Sequence, residues 1–195
     1  MRDLEIRGAG NVLGPEQSGF LLSVGYDMYL RLLEEAVLTE QGQPSPTRTQ
    51  CAANLSVAAS IPDRYVPAPE QRMDLYRRIA AIRSEEDGDD LVDELIDRYG
   101  EPPRTVNNLV SVALLRAAAA EQGIREIDQR GETVSFTFGE DVDLQRVVTL
   151  SGLEKYQKRL VFSASGKPRL NLKLGKKEDV LRAARTLVED YSALQ

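Results

Sequence analysis

Histidine and tryptophan are absent from the 195 residues, and cysteine occurs once, as Cys51. Without histidine, Ser-His-Asp and Cys-His nucleophilic catalysis are excluded, and so are zinc sites built from cysteine and histidine. Any enzyme made from this chain has to work with carboxylates, lysine, arginine or tyrosine. A lone cysteine rules out an internal disulfide framework and fits a reducing, cytoplasmic setting. Cys51 stands just before an expected strand, which reads as a buried, inert thiol. No apolar run approaches the roughly 20 residues of a membrane helix. Charges at positions 2, 3, 5 and 7 argue against a secretory signal. Lysine is missing before position 155, so the G-x-x-x-x-G-K-[ST] phosphate loop is missing too.

What is present is an ordinary globular mixture, 42% apolar and 29% charged. The length suits one good core with a further segment attached. The net charge of −6 is unevenly spread. Lys155, Lys158, Arg159, Lys167, Arg169, Lys173, Lys176 and Lys177 occupy one window that contains no carboxylate. Glu85–Glu101 is the reverse, nine carboxylates against Arg98 alone. Each run reads either as a solvated face or as a surface that meets a partner. A nucleic-acid-binding module is the alternative for the lysine window, since an acidic total does not preclude a local basic face. Its aromatics are only Tyr156 and Phe162, which gives single-strand stacking little support. The acidic run is most simply the wet face of an amphipathic helix.

Residues 1–22 read as irregular. From Asp27, the residues Tyr29, Leu32, Leu33, Ala36 and Val37 recur at helical spacing. The stretch EQGQPSPTRTQ (40–50) interrupts that pattern with two prolines and marks a linker. The expected division is an extension at 1–49 and a domain at 50–195. Alternation of Leu55, Val57, Ala59 and Ile61 predicts a strand. Helices are predicted over about 69–84, about 89–99 and from just after Pro103 to Gly123. The last has the clearest period, Val106, Leu109, Val110, Ala113, Leu114 and Ala117. Two hairpins follow, 124–129 with 132–138 around Arg130-Gly131, and 155–164 with 168–174 around Ser165-Gly166-Lys167. A short helix over 142–150 separates them, and a helix over about 177–192 ends the pattern. Helices followed by strands indicate an α+β fold, a helical layer on a small, mostly antiparallel sheet with an N-terminal loop–helix extension.

The opening RDLEIRGAGNVLGPEQSG invites comparison with a dinucleotide fingerprint. Its glycines are spaced G-x-G-x-x-x-G at Gly8, Gly10 and Gly14, with Leu13 where the third glycine belongs. The stretch instead suits a tightly shaped loop, with Arg7 as a planar donor fork and Gln17 as donor and acceptor. It resembles the motif that follows the second motor lobe in RecG-type helicases and in bacterial transcription-repair coupling factors. VGYDMYLRLLEEAV continues in the manner of the latter. IPDRYVPAPEQRMDLYRRIA and LVDELIDRYGEPPRTVNNLVSVALLRAAAAEQGI resemble the C-terminal domain of that family, so the resemblance covers nearly the whole chain.

The resemblance implies a set of expectations. The full protein is an ATP-driven DNA translocase, using ATP and Mg in its motor, that displaces stalled RNA polymerase and recruits the excision-repair protein UvrA. Arg7 and Gln17 match polar positions that couple the motor to movement on DNA. The C-terminal domain is a non-catalytic regulatory module that packs on the N-terminal UvrA-binding region of the same protein. Met1 reads as a start at the end of the motor, so the chain itself is expected to carry neither cofactor nor catalysis and to engage no membrane. The eight cations from Lys155 to Lys177 are the candidate partner-binding residues.

Overall fold

The computed structural model describes residues 51–140 and 142–194. The extension at 1–49, the helix expected from Asp27 and the coupling residues Arg7 and Gln17 lie outside the described residues.

The chain enters through a three-residue strand, β1 (Ala52–Asn54). It then crosses to three helices: α1 (Pro69–Ala80), α2 (Glu85–Tyr99) and α3 (Arg104–Glu121). The hairpin β2 (Ile124–Arg130) and β3 (Thr133–Phe138) comes next, then α4 (Leu144–Gly152). The hairpin β4 (Leu160–Ser163) and β5 (Arg169–Lys173) leads to α5 (Val180–Ser192). The sheet order is β1-β2-β3-β5-β4. Among the described residues only the β1–β2 pair is parallel; the other three are antiparallel. The α+β architecture with a mostly antiparallel sheet is therefore as the sequence predicts.

Two apolar clusters hold the fold. One side of the sheet, with Ile127, Val134, Phe136, Leu170 and Leu172, packs on Leu115 and Ala119 of α3, Val147 and Leu150 of α4, and Ala184, Leu187 and Tyr191 of α5. The other cluster joins Leu75, Tyr76 and Ile79 of α1, Leu91 and Leu95 of α2, and Val106, Leu109 and Ala113 of α3. Helix α3 belongs to both, which explains its long apolar period. Its first turns face the helices and its last turns face the sheet. Each fully buried Leu or Phe contributes about 1.5–3 kcal/mol by leaving water, so α3 ties the two clusters into one body.

The expected strand at 55–61 is not a strand, and β2 is the reason. Its parallel register pairs Ala52 with Glu126 and Asn54 with Asp128. Two residues later β2 runs into its own turn at Gly131, whose φ of +58° suits glycine. Ser56 N–H then donates to the Gln129 side chain (2.9 Å), and Val57 N–H turns back to the Leu55 carbonyl (2.8 Å). Beyond that the segment is held by the helices. Asn108 Nδ2 donates to the Ala58 carbonyl (2.8 Å), and Ile61 N–H to the Tyr76 hydroxyl (2.9 Å). Ala59 and Ile61 pack on the helical cluster and Leu55 on the sheet cluster, so the alternation marks core contacts and not a ladder.

Other boundaries shift for local reasons. α2 starts four residues earlier than its apolar stripe predicts. Ser84 and Asp87 form a reciprocal capping box, with Asp87 N–H on Ser84 Oγ (3.1 Å) and Ser84 N–H on Asp87 Oδ2 (3.0 Å). The backbone N–H of Arg83 and the hydrogen bonds from Ser84 hold the Asp87 carboxyl below its usual pKa. β4 starts at Leu160 rather than at 155, because Glu154–Tyr156 form a single 3₁₀ turn whose Tyr156 is buried against α5. Cys51 is buried, as expected of an inert thiol.

Candidate docking surfaces

The eight cations of the lysine window sit on the second hairpin and its flanks, but they are not equivalent. Lys155 Nζ bonds Asp190 of α5, 2.8 Å to Oδ1 and 2.6 Å to Oδ2. The Tyr156 hydroxyl donates to the same carboxylate. Burial first, and then Asp190, push the Tyr156 phenol well above its usual pKa. Arg159 bonds Glu178, and its Nε donates to the Lys173 carbonyl (3.0 Å). Lys155 and Arg159 thus serve to fasten the hairpin to α5 and its approach. Lys158, Lys167, Arg169, Lys173, Lys176 and Lys177 are exposed and make no ion pair with another described residue. Arg169 and Lys173 flank Asn171 on the side of β5 opposite the buried Leu170 and Leu172. Lys176 and Lys177 follow in the connection to α5.

The acidic run forms helix α2. Part of it is used internally: Glu94 accepts from Arg78 Nη1 (2.8 Å) and Arg98 Nη1 (2.8 Å). Those two guanidinium groups, Arg78 first, hold the Glu94 carboxyl down at about 2. Glu85 bonds Arg185 of α5 (2.7 Å), which links the helical cluster to the sheet layer. Glu86, Asp89, Asp90, Asp93 and Asp97 are exposed. At 100° per residue they fall within an arc of about 100°, a continuous acidic ridge. Gly88 sets the approach of this helix to α3, because a Cβ there meets Leu114 Cδ1 at 3.3 Å and Val110 Cγ1 at 3.5 Å.

A cleft of about 440 Å³ lies between α3 and the start of α5, lined by Arg104, Asn108, Ser111, Asp179, Leu181, Arg182 and Arg185. Several of its polar groups are committed to one another or to their helices. Arg104 faces Asp179 (3.6 Å), Asp179 caps α5, and Arg185 holds Glu189 as well as Glu85 (both 2.7 Å). The long-range cross-links from Lys155, Arg159 and Arg185, and this cleft, were not apparent in the sequence, since their partners are distant in the chain. Among the described residues no helix is long and apolar enough to cross a membrane.

The arrangement of helices and sheet is that of a known α+β domain. It matches the crystal structure of the C-terminal domain of a transcription-repair coupling factor with a TM-score of 0.64 at 21% identity, over 75% of this chain and 96% of that one. Residues 55–147 match the TRCF domain family. Transcription-repair-coupling factors are similar in sequence as well. That of Bacillus subtilis is 34% identical over 172 residues, 86% of this chain and 14% of the relative. That of Myxococcus xanthus is 41% identical over 139 residues, 71% of this chain and 12% of the relative, and that of Escherichia coli is 38% identical over 141 residues, 69% of this chain and 12% of the relative. The chain belongs to the transcription-repair coupling factor family. It spans about one seventh of the length of these relatives or less. The TRCF match ends inside α4, so the lysine-bearing hairpin lies beyond it.

Proposed function

We propose that residues 50–195 form a non-catalytic regulatory domain that docks on the N-terminal UvrA-binding region of the same protein. Docking hides that region until RNA polymerase is engaged, and release exposes it to UvrA. Residues 1–49 complete the translocation motif, in which Arg7 and Gln17 couple an ATP- and Mg-dependent motor to movement on DNA. The motor lies in the rest of the protein, and DNA is met through it.

The observation that supports the docking role is the set of six exposed cations on the second hairpin and its flanks that make no ion pair with another described residue, Lys158, Lys167, Arg169, Lys173, Lys176 and Lys177. They project from a body made rigid by its two cores. A mask has to be removable, and a swing from mostly closed to mostly open takes about 5.5 kcal/mol of differential binding. A polar contact of complementary charge meets that requirement better than a large apolar one.

The test is inhibition in trans. Added to a parent protein lacking its own residues 50–195, the isolated chain lowers UvrA binding, less so as salt rises. The triple reversal Lys173→Glu, Lys176→Glu and Lys177→Glu weakens the inhibition without unfolding the domain. Full inhibition by the triple variant excludes the hairpin as the docking face and directs attention to the acidic ridge of α2. Tight binding of duplex DNA with a steep salt slope and no effect on UvrA supports a nucleic-acid module instead.

A further inference from the structure

Among the described residues strand β4 ends the sheet and has a neighbour, β5, on one side. Lys173 N–H donates to the Arg159 carbonyl (2.8 Å), so 159 and 173 form a hydrogen-bonded pair of the antiparallel ladder. The register continues as Leu160 with Leu172, Val161 with Asn171, Phe162 with Leu170 and Ser163 with Arg169. Bonded and non-bonded pairs alternate along such a ladder. The backbone groups of Val161 and Ser163 therefore face β5, while the N–H and C=O of Leu160 and Phe162 face outward. No turn, loop or side-chain hydrogen bond among the described residues takes up those four outward groups. The strand is held in place from within, because Leu160 is buried and Phe162 packs against the sheet core. On its opposite face Val161 is 62% exposed.

A rigid edge with outward-facing backbone groups that no described residue takes up, and an exposed β-branched residue, is a template for another strand. Charge selects the occupant. Lys158 precedes the strand, Lys167 lies in the turn that follows it, and Arg169 and Lys173 stand on the neighbouring strand; all four are exposed and make no ion pair with another described residue. Two copies of this edge repel each other, whereas a chain bearing carboxylates is attracted. We propose that the β4 edge takes up an extended acidic segment of a partner protein as a sixth strand, with an apolar side chain beside Val161 and carboxylates toward Lys158 and Lys167. The inference stands on strand geometry and local charge, independently of the masking role.

The 195-residue chain, labelled with nitrogen-15, is titrated with a seven-residue capped peptide alternating glutamate and valine. Controls are the same peptide with lysine for glutamate and a duplex DNA oligonucleotide. The glutamate peptide should slow amide exchange of Leu160 and Phe162 by about tenfold or more, while amides of Val161 and Ser163, already in the ladder, change less. Val161→Glu, a change at an exposed side chain, should weaken binding by about tenfold and leave the fold intact. Three results overturn the proposal: unchanged exchange at Leu160 and Phe162 with peptide in excess, equal protection by the lysine peptide, or protection that appears without peptide as the chain self-associates. Shifts at the lysines caused by DNA, with the glutamate peptide inert, overturn it as well.

Discussion

Replacing Gly88 with alanine sets two terms of opposite sign against each other. Gly88 lies in the second turn of α2, where glycine costs the helix about 1 kcal/mol relative to alanine. Against that gain, the new methyl sits 3.3 Å from Leu114 Cδ1, 3.4 Å from Leu114 Cδ2 and 3.5 Å from Val110 Cγ1. The two shortest contacts are to the far end of one flexible leucine side chain, which is only half-buried. Relief of a few tenths of an ångström by a flexible group costs a fraction of a kcal/mol. The sum is a stabilisation of about 0.5 kcal/mol, or about 1–2 °C in Tm for a domain of this size. Gly88→Leu exceeds what Leu114 can yield and forces α2 away from α3, a loss of about 1–3 kcal/mol. Urea denaturation of both variants reads the difference directly. If Gly88→Ala is destabilising by more than about 1 kcal/mol, the α2–α3 contact is rigid and the reasoning from Leu114 mobility fails.

Leu109→Ala in the helical cluster and Leu187→Ala in the sheet cluster should each cost about 2–5 kcal/mol. Both should keep a single unfolding transition seen alike by far-UV circular dichroism and tyrosine fluorescence, since α3 joins the clusters; separated transitions would show two independent bodies. The Glu94 pKa is depressed to about 2, so its contribution is present above the ordinary carboxylate value of 4.5 and is lost as pH falls toward 2. Glu94→Gln should therefore flatten the acid limb of stability between those values while changing little below pH 2, measured by denaturant midpoints across pH. Asp190→Asn should loosen the hairpin, because Lys155 and Tyr156 share that carboxylate, and hydrogen exchange should quicken in β4 more than in β2. The proposed coupling role predicts that Arg7→Ala in the full-length protein impairs polymerase displacement while sparing much of the ATPase; a parallel fall in both would remove that role.

The helices were legible because their apolar periods coincide with the faces they bury. In α3, Val106, Leu109, Val110 and Ala113 recur on one stripe and all are buried. The β2–β3 turn was legible from Arg130-Gly131. The first strand was not, because three residues are too few for alternation to show, while in the misleading alternation of Leu55, Val57, Ala59 and Ile61 the first packs on the sheet cluster and the last two on the helical one. The basic window was visible in composition, yet which of its cations are paired among the described residues depended on Glu178 and Asp190. Asp190 lies 35 residues beyond its partner Lys155. Ion pairs across such distances leave no local trace in a sequence. The outward-facing backbone of β4 was hidden for a similar reason: strand order, not strand composition, decides which strand becomes an edge.

The role proposed for this domain is to restrain the protein's access to UvrA. Its most direct test is the affinity of the full-length coupling factor for UvrA, measured by titration at fixed ionic strength, with and without the segment corresponding to residues 50–195. Masking predicts markedly tighter binding after deletion, partly reversed when the 195-residue chain is added back. Equal affinity for the intact and deleted proteins would rule masking out.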